Sequence, residues 1–135
     1  MKNILVTGGC GFIGRNLVKK LKSLGHNVII CDFKAEAPDY AYDISKYNEL
    51  SKITDTIDII YHMAAQSYGY RSLIEPEIDI DWNVKGTLNV CRFAKERGIE
   101  KIIYASTMAV YGEGDWLKET DELNPLSNYA LSKLY

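Results

Sequence analysis

The sequence predicts an α/β protein in which a parallel β-sheet is covered by helices on both faces. Short runs of β-branched and other apolar residues alternate with longer segments whose apolar residues have helical spacing. The short runs are continuously apolar, which is typical of strands that are buried on both faces of a parallel sheet. Strands that alternate with helices imply right-handed crossovers and a three-layer, doubly wound arrangement.

Four runs are predicted as strands, namely Asn3–Thr7, Asn27–Cys31, Asp58–Tyr61 and Lys101–Ala105. Helices are predicted over Phe12–Leu24, Ser45–Ile53 and Asp81–Arg97, and a last helix is predicted to begin near Ser127–Asn128. In the longest helix, the residues expected to face the sheet are Val84, Leu88, Cys91, Phe93 and Ala94. We expect the strand order 3-2-1-4, with the chain ending as its fourth crossover helix begins.

Composition and charge exclude several classes of protein. The 135 residues are 47% hydrophobic and 25% charged, which is typical of one soluble domain over residues 1–135. The net charge of −2 leaves no basic surface for nucleic acid, and no apolar run approaches the roughly 20 residues that span a bilayer. The three cysteines have no metal-binding spacing and are expected to be reduced thiols. We therefore expect a cytoplasmic protein with neither a metal, a nucleic acid nor a membrane as partner.

A glycine-rich segment with the sequence TGGCGFIG directly follows the first strand. Gly9, Gly11 and Gly14 match G-x-G-x-x-G, and Gly8, Gly11 and Gly14 match a related spacing of three. Such glycines permit a tight turn and the close approach of a pyrophosphate to the N-terminus of a helix. A strand-to-helix turn without any ligand would carry the same glycines.

An acidic residue follows the second strand, where a dinucleotide site needs one. Asp32 lies 18 residues after Gly14, and a carboxylate there accepts hydrogen bonds from an adenosine ribose. The same charge would repel a 2′-phosphate, which favours NAD over NADP. Lys34 is the one nearby cation that could oppose this preference.

The pattern Tyr-x-x-x-Lys occurs twice, at Tyr42–Lys46 and at Tyr129–Lys133. Position favours the second pair, because it opens a helix beyond the fourth strand, whose carboxyl end carries Thr107, and ligands lie outside the carboxyl ends of such strands. Tyr129 is then predicted to be a general acid/base whose phenolate the Lys133 ammonium favours. Thr107 is predicted to hydrogen-bond the reacting oxygen. A surface Tyr–Lys pair on an amphipathic helix is the alternative.

Together these motifs resemble the extended short-chain dehydrogenase/reductase family, in its NAD-dependent epimerase/dehydratase branch. The resemblance extends along essentially the whole chain and implies a Rossmann-like fold and NAD as cofactor. It rests on the motifs TGGCGFIG at 7–14, Asp32, Asp43-Ile44, HMAA at 62–65, NVKGT at 83–87, ASTMAVYG at 105–112 and NPLSNYALSK at 124–133.

The resemblance also implies a set of residues that bind the cofactor. Asp43 and Ile44 would contact adenine, and Asn83 would brace the site within its helix. The full set of implied cofactor-binding residues is Gly8, Gly11, Phe12, Ile13, Gly14, Asp32, Asp43, Ile44, Met63, Ala64, Ala65, Asn83, Tyr129 and Lys133.

Members of this branch act on nucleotide sugars by transient hydride transfer. Similar dehydratases usually carry carboxylates just after the position of Thr107, where this chain has Met108 and Ala109, which cannot transfer protons. The resemblance therefore favours a 4-epimerase or a simple dehydrogenase.

Family members are longer than this chain and carry a C-terminal lobe that binds the nucleotide sugar. We expect an incomplete domain from the N-terminal part of such a protein, which binds NAD without turning over substrate. The alternatives are a non-catalytic dinucleotide-binding or regulatory module and an NAD(P)-dependent reductase of a small carbonyl compound, and homo-oligomer formation stays open.

Overall fold

The computed structural model describes residues 1–33 and 37–135. Its four strands are β1 (Asn3–Thr7), β2 (Asn27–Cys31), β3 (Ile59–His62) and β4 (Lys101–Tyr104). Every strand pair in the sheet is parallel, so the predicted α/β class and the parallel sheet are confirmed.

Helices accompany every connection between these strands. They are α1 (Phe12–Ser23), α2 (Tyr47–Leu50), α3 (Gly69–Ile74), α4 (Pro76–Ile78), α5 (Gly86–Glu96) and α6 (Asn128–Leu134). A π-helical turn over Asp79–Lys85 joins α4 to α5, and a 3-10 turn over Met108–Tyr111 follows β4. In the described part of the chain, no helix combines the length and the apolar character that crossing a membrane requires.

The strand order is 2-1-3-4 rather than the predicted 3-2-1-4. The place beyond β2 is taken by a single residue, Tyr40, which forms a parallel bridge to Cys31. Its N–H donates to the carbonyl of Ile30, and its carbonyl accepts from the N–H of Asp32, both at 3.0 Å. Because this bridge occupies the free edge of β2, the strand that follows pairs with β1 on its other side. If the bridge is counted as a third strand, the sheet has five strands in the order 3-2-1-4-5, whose first four follow the predicted 3-2-1-4.

Both faces of the sheet are covered, which confirms the three-layer arrangement. On one face α5 and α2 cover a core that includes Leu5, Leu50 and Phe93. On the other face α1 packs against the sheet through Val18 and Leu21. Neighbouring residues of β1 point into opposite cores, as expected for a strand that is buried on both sides.

The buried face of the longest predicted helix is confirmed at Phe93 and Ala94 and is wrong at Leu88 and Cys91. Leu88 is 67% exposed, and Cys91 is also exposed, whereas Val90 and Phe93 face the sheet. The π-helical turn explains the difference, because its wider turn rotates the residues that follow it relative to a regular α-helix. The predicted helix over Ser45–Ile53 is reduced to the single turn of α2.

Candidate functional site

A cavity of about 1070 Å³ lies at the carboxyl ends of the strands. It is at the large end of the range for ligand pockets in proteins. It opens between the ends of β1 and β3. After β1 the chain continues into a helix on one face of the sheet, and after β3 it continues into helices on the other face. Doubly wound sheets bind ligands at such a switch point. The switch falls between β1 and β3, not between the first and fourth strands as predicted, because β3 is the neighbour of β1.

The glycine-rich loop forms one wall of this cavity. Gly8 has a φ of +68°, and a Cβ at this position would lie 2.5 Å from the backbone nitrogen of Ala64. A Cβ at Gly14 would overlap the carbonyl oxygen of Gly8. Gly11 is the N-cap of α1, and its N–H donates to the Gly8 carbonyl at 3.1 Å. The spacing of Gly8, Gly11 and Gly14 thus brings the loop and α1 into close contact with the sheet.

The N-terminus of α1 faces the cavity without a side-chain cap. The N-cap, Gly11, has no side chain to cap the first turn of the helix, and both Phe12 and Ile13 line the cavity. The first N–H groups of an α-helix have no partner within the helix, and the helix dipole places partial positive charge there. This wall is therefore suited to hold an anion such as a pyrophosphate.

Asp32 lies beside the glycine-rich loop at the end of β2. One of its carboxylate oxygens accepts a hydrogen bond from the N–H of Cys10 at 3.1 Å, and the residue lines the cavity. Asp43 and Ile44 line the same part of the wall. Lys34, the cation that the sequence placed near Asp32, lies outside the described residues.

The structure separates the two Tyr-x-x-x-Lys pairs. Tyr129 and Lys133 lie on α6 and both line the cavity. Ser127 begins that helix, and its hydroxyl oxygen accepts from the N–H of Ala130 at 3.1 Å. Tyr42 also lines the cavity, but Lys46 does not, because its ammonium extends along the surface to Glu49 at 3.4 Å. Only the second pair presents both side chains to one ligand.

Lys133 is almost completely buried, at 4% exposure. Burial disfavours the charged form of the ammonium and lowers the pKa of Lys133 to about 8. Its nearest described partner is the ring of Tyr104, 4.2 Å from Nζ to the ring centroid.

Thr107 lies just behind the cavity wall and caps the 3-10 turn. Its hydroxyl oxygen accepts from the N–H of Ala109 at 3.2 Å, which leaves its own hydrogen free to donate. The preceding residue, Ser106, is the one that lines the cavity. Sequence reasoning assigned no role to Ser106.

Residues 4–135 match the sequence profile of the NAD dependent epimerase/dehydratase family. The chain belongs to this family. The predicted resemblance is thereby confirmed, and with it the Rossmann-like fold and NAD as the cofactor of the family.

Several relatives within the NAD dependent epimerase/dehydratase family are similar to almost the whole chain. A protein of Methanocaldococcus jannaschii named putative UDP-glucose 4-epimerase is 38% identical over 143 residues, which cover 96% of this chain and 47% of the relative. The UDP-glucose 4-epimerase of Lacticaseibacillus casei is 37% identical, over 97% of this chain and 44% of its own length. The chain therefore spans about half the length of the curated relatives it matches.

The fold comparison gives the same result. The crystal structure of Thermus thermophilus UDP-glucose 4-epimerase in complex with NAD matches with a TM-score of 0.90 at 32% identity. The match covers 97% of this chain and 47% of that one.

Asn83 lies behind the cavity and does not line it. Its side-chain oxygen accepts from the N–H of Gln66 at 2.8 Å, and its amide donates to the Gln66 carbonyl at 3.0 Å and to the Ser132 hydroxyl at 2.9 Å. It therefore holds the segment that follows β3 against α6. This geometry fits the predicted bracing role of Asn83, and its contact with the cofactor stays a prediction.

Sequence reasoning missed His62 as a part of this site. The ring is buried at the carboxyl end of β3, with Nδ1 2.7 Å from the Thr7 hydroxyl and Nε2 3.0 Å from the Thr87 hydroxyl. Burial, assisted by the charge of Lys133, lowers the pKa of His62 to about 3. The imidazole is therefore neutral near pH 7. A histidine that ends an otherwise apolar strand was the signal in the sequence.

Proposed function

We propose that this cavity binds NAD and that the chain provides the cofactor-binding half of an enzyme that inverts C4 of a nucleotide sugar. The observation that carries the proposal is the position of Tyr129 and Lys133, which share one cavity with the Gly8–Gly14 loop and with Asp32. Relatives that are named UDP-glucose 4-epimerase support the substrate class.

The residues of the cavity fit the parts of a dinucleotide in order. Gly8 and Gly14 let the loop pack closely against α1 and the segment after β3, and the uncapped N-terminus of α1 beside the loop would hold the pyrophosphate. Asp32 would accept hydrogen bonds from the adenosine ribose, and Asp43 with Ile44 would lie against the adenine. The opposite end, which Tyr129 and Lys133 line, is left for the nicotinamide.

Bound NAD would supply an acceptor for hydride from the sugar carbon and a donor for its return to the opposite face. In this proposal, the Tyr129 phenolate takes the proton of the sugar hydroxyl and later gives it back. The positive charge of the Lys133 ammonium stabilises that phenolate. Thr107 donates its free hydroxyl hydrogen to the reacting oxygen.

An epimerase fits this site better than a dehydratase. Elimination of water needs a carboxyl group beside the sugar to move protons, and the residues after Thr107 are Met108 and Ala109. Neither side chain exchanges protons. A hydride that leaves and returns requires only the tyrosine as acid and base.

A non-catalytic dinucleotide-binding module is the second candidate. In that case Tyr129 and Lys133 would contribute to cofactor binding alone. A reductase of a small carbonyl compound would use the same residues without returning the hydride.

A chimeric protein distinguishes these candidates. Residues 1–135 would replace the matching segment of the Lacticaseibacillus casei enzyme, and NAD binding and the interconversion of UDP-glucose and UDP-galactose would be measured. We expect turnover that Tyr129→Phe lowers by about two to four orders of magnitude with NAD affinity retained. A folded chimera that binds NAD but does not interconvert the sugars would support the non-catalytic module instead.

A further inference from the structure

Lys133 is buried at the cavity wall, and among the described residues its ammonium has no oxygen partner. Within residues 1–33 and 37–135, no carboxylate lies within ion-pair distance of Nζ and no hydrogen bond involves it. The face of the Tyr104 ring is its one described contact of this kind, at 4.2 Å from Nζ to the ring centroid. A buried cation ordinarily requires compensation, and here an aromatic face provides it.

The Tyr104 ring is itself held in place by the ring of His62. Tyr104 is the last residue of β4, and the ring of His62 from the neighbouring strand lies 5.5 Å away, centroid to centroid, with 34° between the ring planes. His62 is fixed in turn by hydroxyl groups at both ring nitrogens. Successive contacts thus connect the interior of the sheet with the wall of the cavity, from His62 through Tyr104 to Lys133.

We propose that Tyr104 is a positioning residue for Lys133: its ring face holds the ammonium at the cavity wall and leaves the N–H donors for the ligand in the cavity. This contact differs from an ion pair in one respect that matters to the site. A carboxylate would accept hydrogen bonds from the N–H donors and neutralise the charge. A ring face leaves the charge in place and leaves N–H donors available to the ligand. The identity of the ligand as NAD rests on the proposed function. So does the action of the Lys133 charge on Tyr129.

The groups around this pair are few and mostly neutral. His62 faces Tyr104 from β3, Cys91 approaches Tyr104 from α5, and Tyr129 lies on the same helix as Lys133. Burial raises the pKa of the Tyr104 hydroxyl, so the ring stays neutral at physiological pH. Among the described residues, the ring face of Tyr104 is thus the contact that favours the protonated form of Lys133.

The ring and the hydroxyl of Tyr104 can be tested separately. No hydrogen bond of normal geometry reaches the buried Tyr104 hydroxyl in the described residues, so Tyr104→Phe removes the hydroxyl and keeps the ring. Tyr104→Leu removes the ring. The protein would be labelled with ¹³C and ¹⁵N at the lysine side chains, and the Lys133 signal would be assigned by its loss in Lys133→Met.

The readout is the pH at which the Lys133 side chain titrates in the NMR spectrum. Because the ring favours the charged form, its loss should lower that pH. We expect a decrease of about one pH unit in Tyr104→Leu and little change in Tyr104→Phe. An unchanged titration in a folded Tyr104→Leu protein would overturn the proposal.

A second series applies if Tyr104→Leu does not fold. Phenylalanine with one, two or three fluorine atoms at position 104 keeps the size of the ring and progressively weakens the negative charge of its face. The Lys133 titration should move to lower pH with each fluorine, and a constant value across the series would contradict the proposal. Calorimetry with NAD on the same samples separates the two hypotheses, since a protein that binds no NAD but shows the graded titration refutes only the proposed function.

Discussion

The side-chain amide of Asn83 donates a hydrogen bond of 2.9 Å to the hydroxyl of Ser132, the residue next to Lys133. The same amide donates to the carbonyl of Gln66, on the segment that follows β3. Asn83 therefore joins the two walls of the cavity that carry the nicotinamide end of the proposed site. Asn83 is 1% exposed, so these bonds are shielded from bulk water.

Asn83→Ala should be more damaging than Ser132→Ala. The first change leaves both backbone groups of Gln66 without their partner, whereas the second leaves only one amide hydrogen unbonded. We expect a loss in the free energy of unfolding of about 1–3 kcal/mol per unsatisfied group for Asn83→Ala and about 1 kcal/mol for Ser132→Ala. Urea denaturation of both variants measures this, and equal losses would show that the Gln66 bonds contribute little.

The glycine-rich loop should not tolerate a methyl group at Gly14. A Cβ there would overlap the Gly8 carbonyl oxygen, so α1 must shift away from the loop. We expect Gly14→Ala to weaken NAD binding at least about tenfold and to cost roughly 1–3 kcal/mol of stability. Gly69→Ala is the matched control, because a Cβ at Gly69 meets nothing within 4 Å. If the two variants bound NAD equally well, the loop would not be the pyrophosphate site.

Asp32 should set the preference between the two nicotinamide dinucleotides. Its carboxylate lies beside the glycine-rich loop, bonded to the N–H of Cys10, and would repel a 2′-phosphate. We expect NAD to bind more tightly than NADP and Asp32→Asn to narrow the difference. Competitive calorimetry with the two dinucleotides decides this, and NADP binding as tight as NAD in the unaltered chain would contradict the assignment.

His62 should make the fold sensitive to acid. Its pKa of about 3 in the folded state lies below the ordinary value of 6.5, because burial disfavours the charged ring. Between these two values the unfolded chain binds more protons, so the free energy of unfolding falls as the pH falls from 6.5 towards 3. The slope should approach about 1.4 kcal/mol per pH unit. His62→Gln should remove this slope and His26→Gln should keep it, as measured by urea denaturation at several pH values. A slope that persists in His62→Gln would assign it to other groups.

The four strands and the glycine-rich loop, which depend on local sequence, were predicted correctly, whereas the strand order, which depends on a single distant contact, was not. Each strand was visible as a continuous apolar run, and the glycine-rich loop was visible because its function needs several glycines within a few residues. Tyr40 was missed as a sheet partner, since one bridging residue has no periodicity. That omission led to the wrong strand order.

The candidate site shows the same division. Topology alone placed Tyr129 and Lys133 at the carboxyl ends of the strands, where the structure has them. The inward face of the longest helix was wrong at Leu88, because nothing in its apolar spacing indicates a π-helical turn. Asn83 could be recognised from its motif, but its depth behind the cavity depends on Gln66 and Ser132, which are distant in sequence. The roles given to the individual site residues remain predictions.

The most direct measurement of the central claim is a titration of the 135-residue chain with NAD, followed residue by residue in its backbone NMR spectrum. The account predicts saturable changes at both ends of the cavity, at Gly8, Gly11 and Gly14 and at Ser106, Tyr129 and Lys133. Both groups should shift with one dissociation constant. Changes confined to residues outside the cavity, or no change at NAD concentrations in the millimolar range, would contradict the assignment of this cavity as a dinucleotide site.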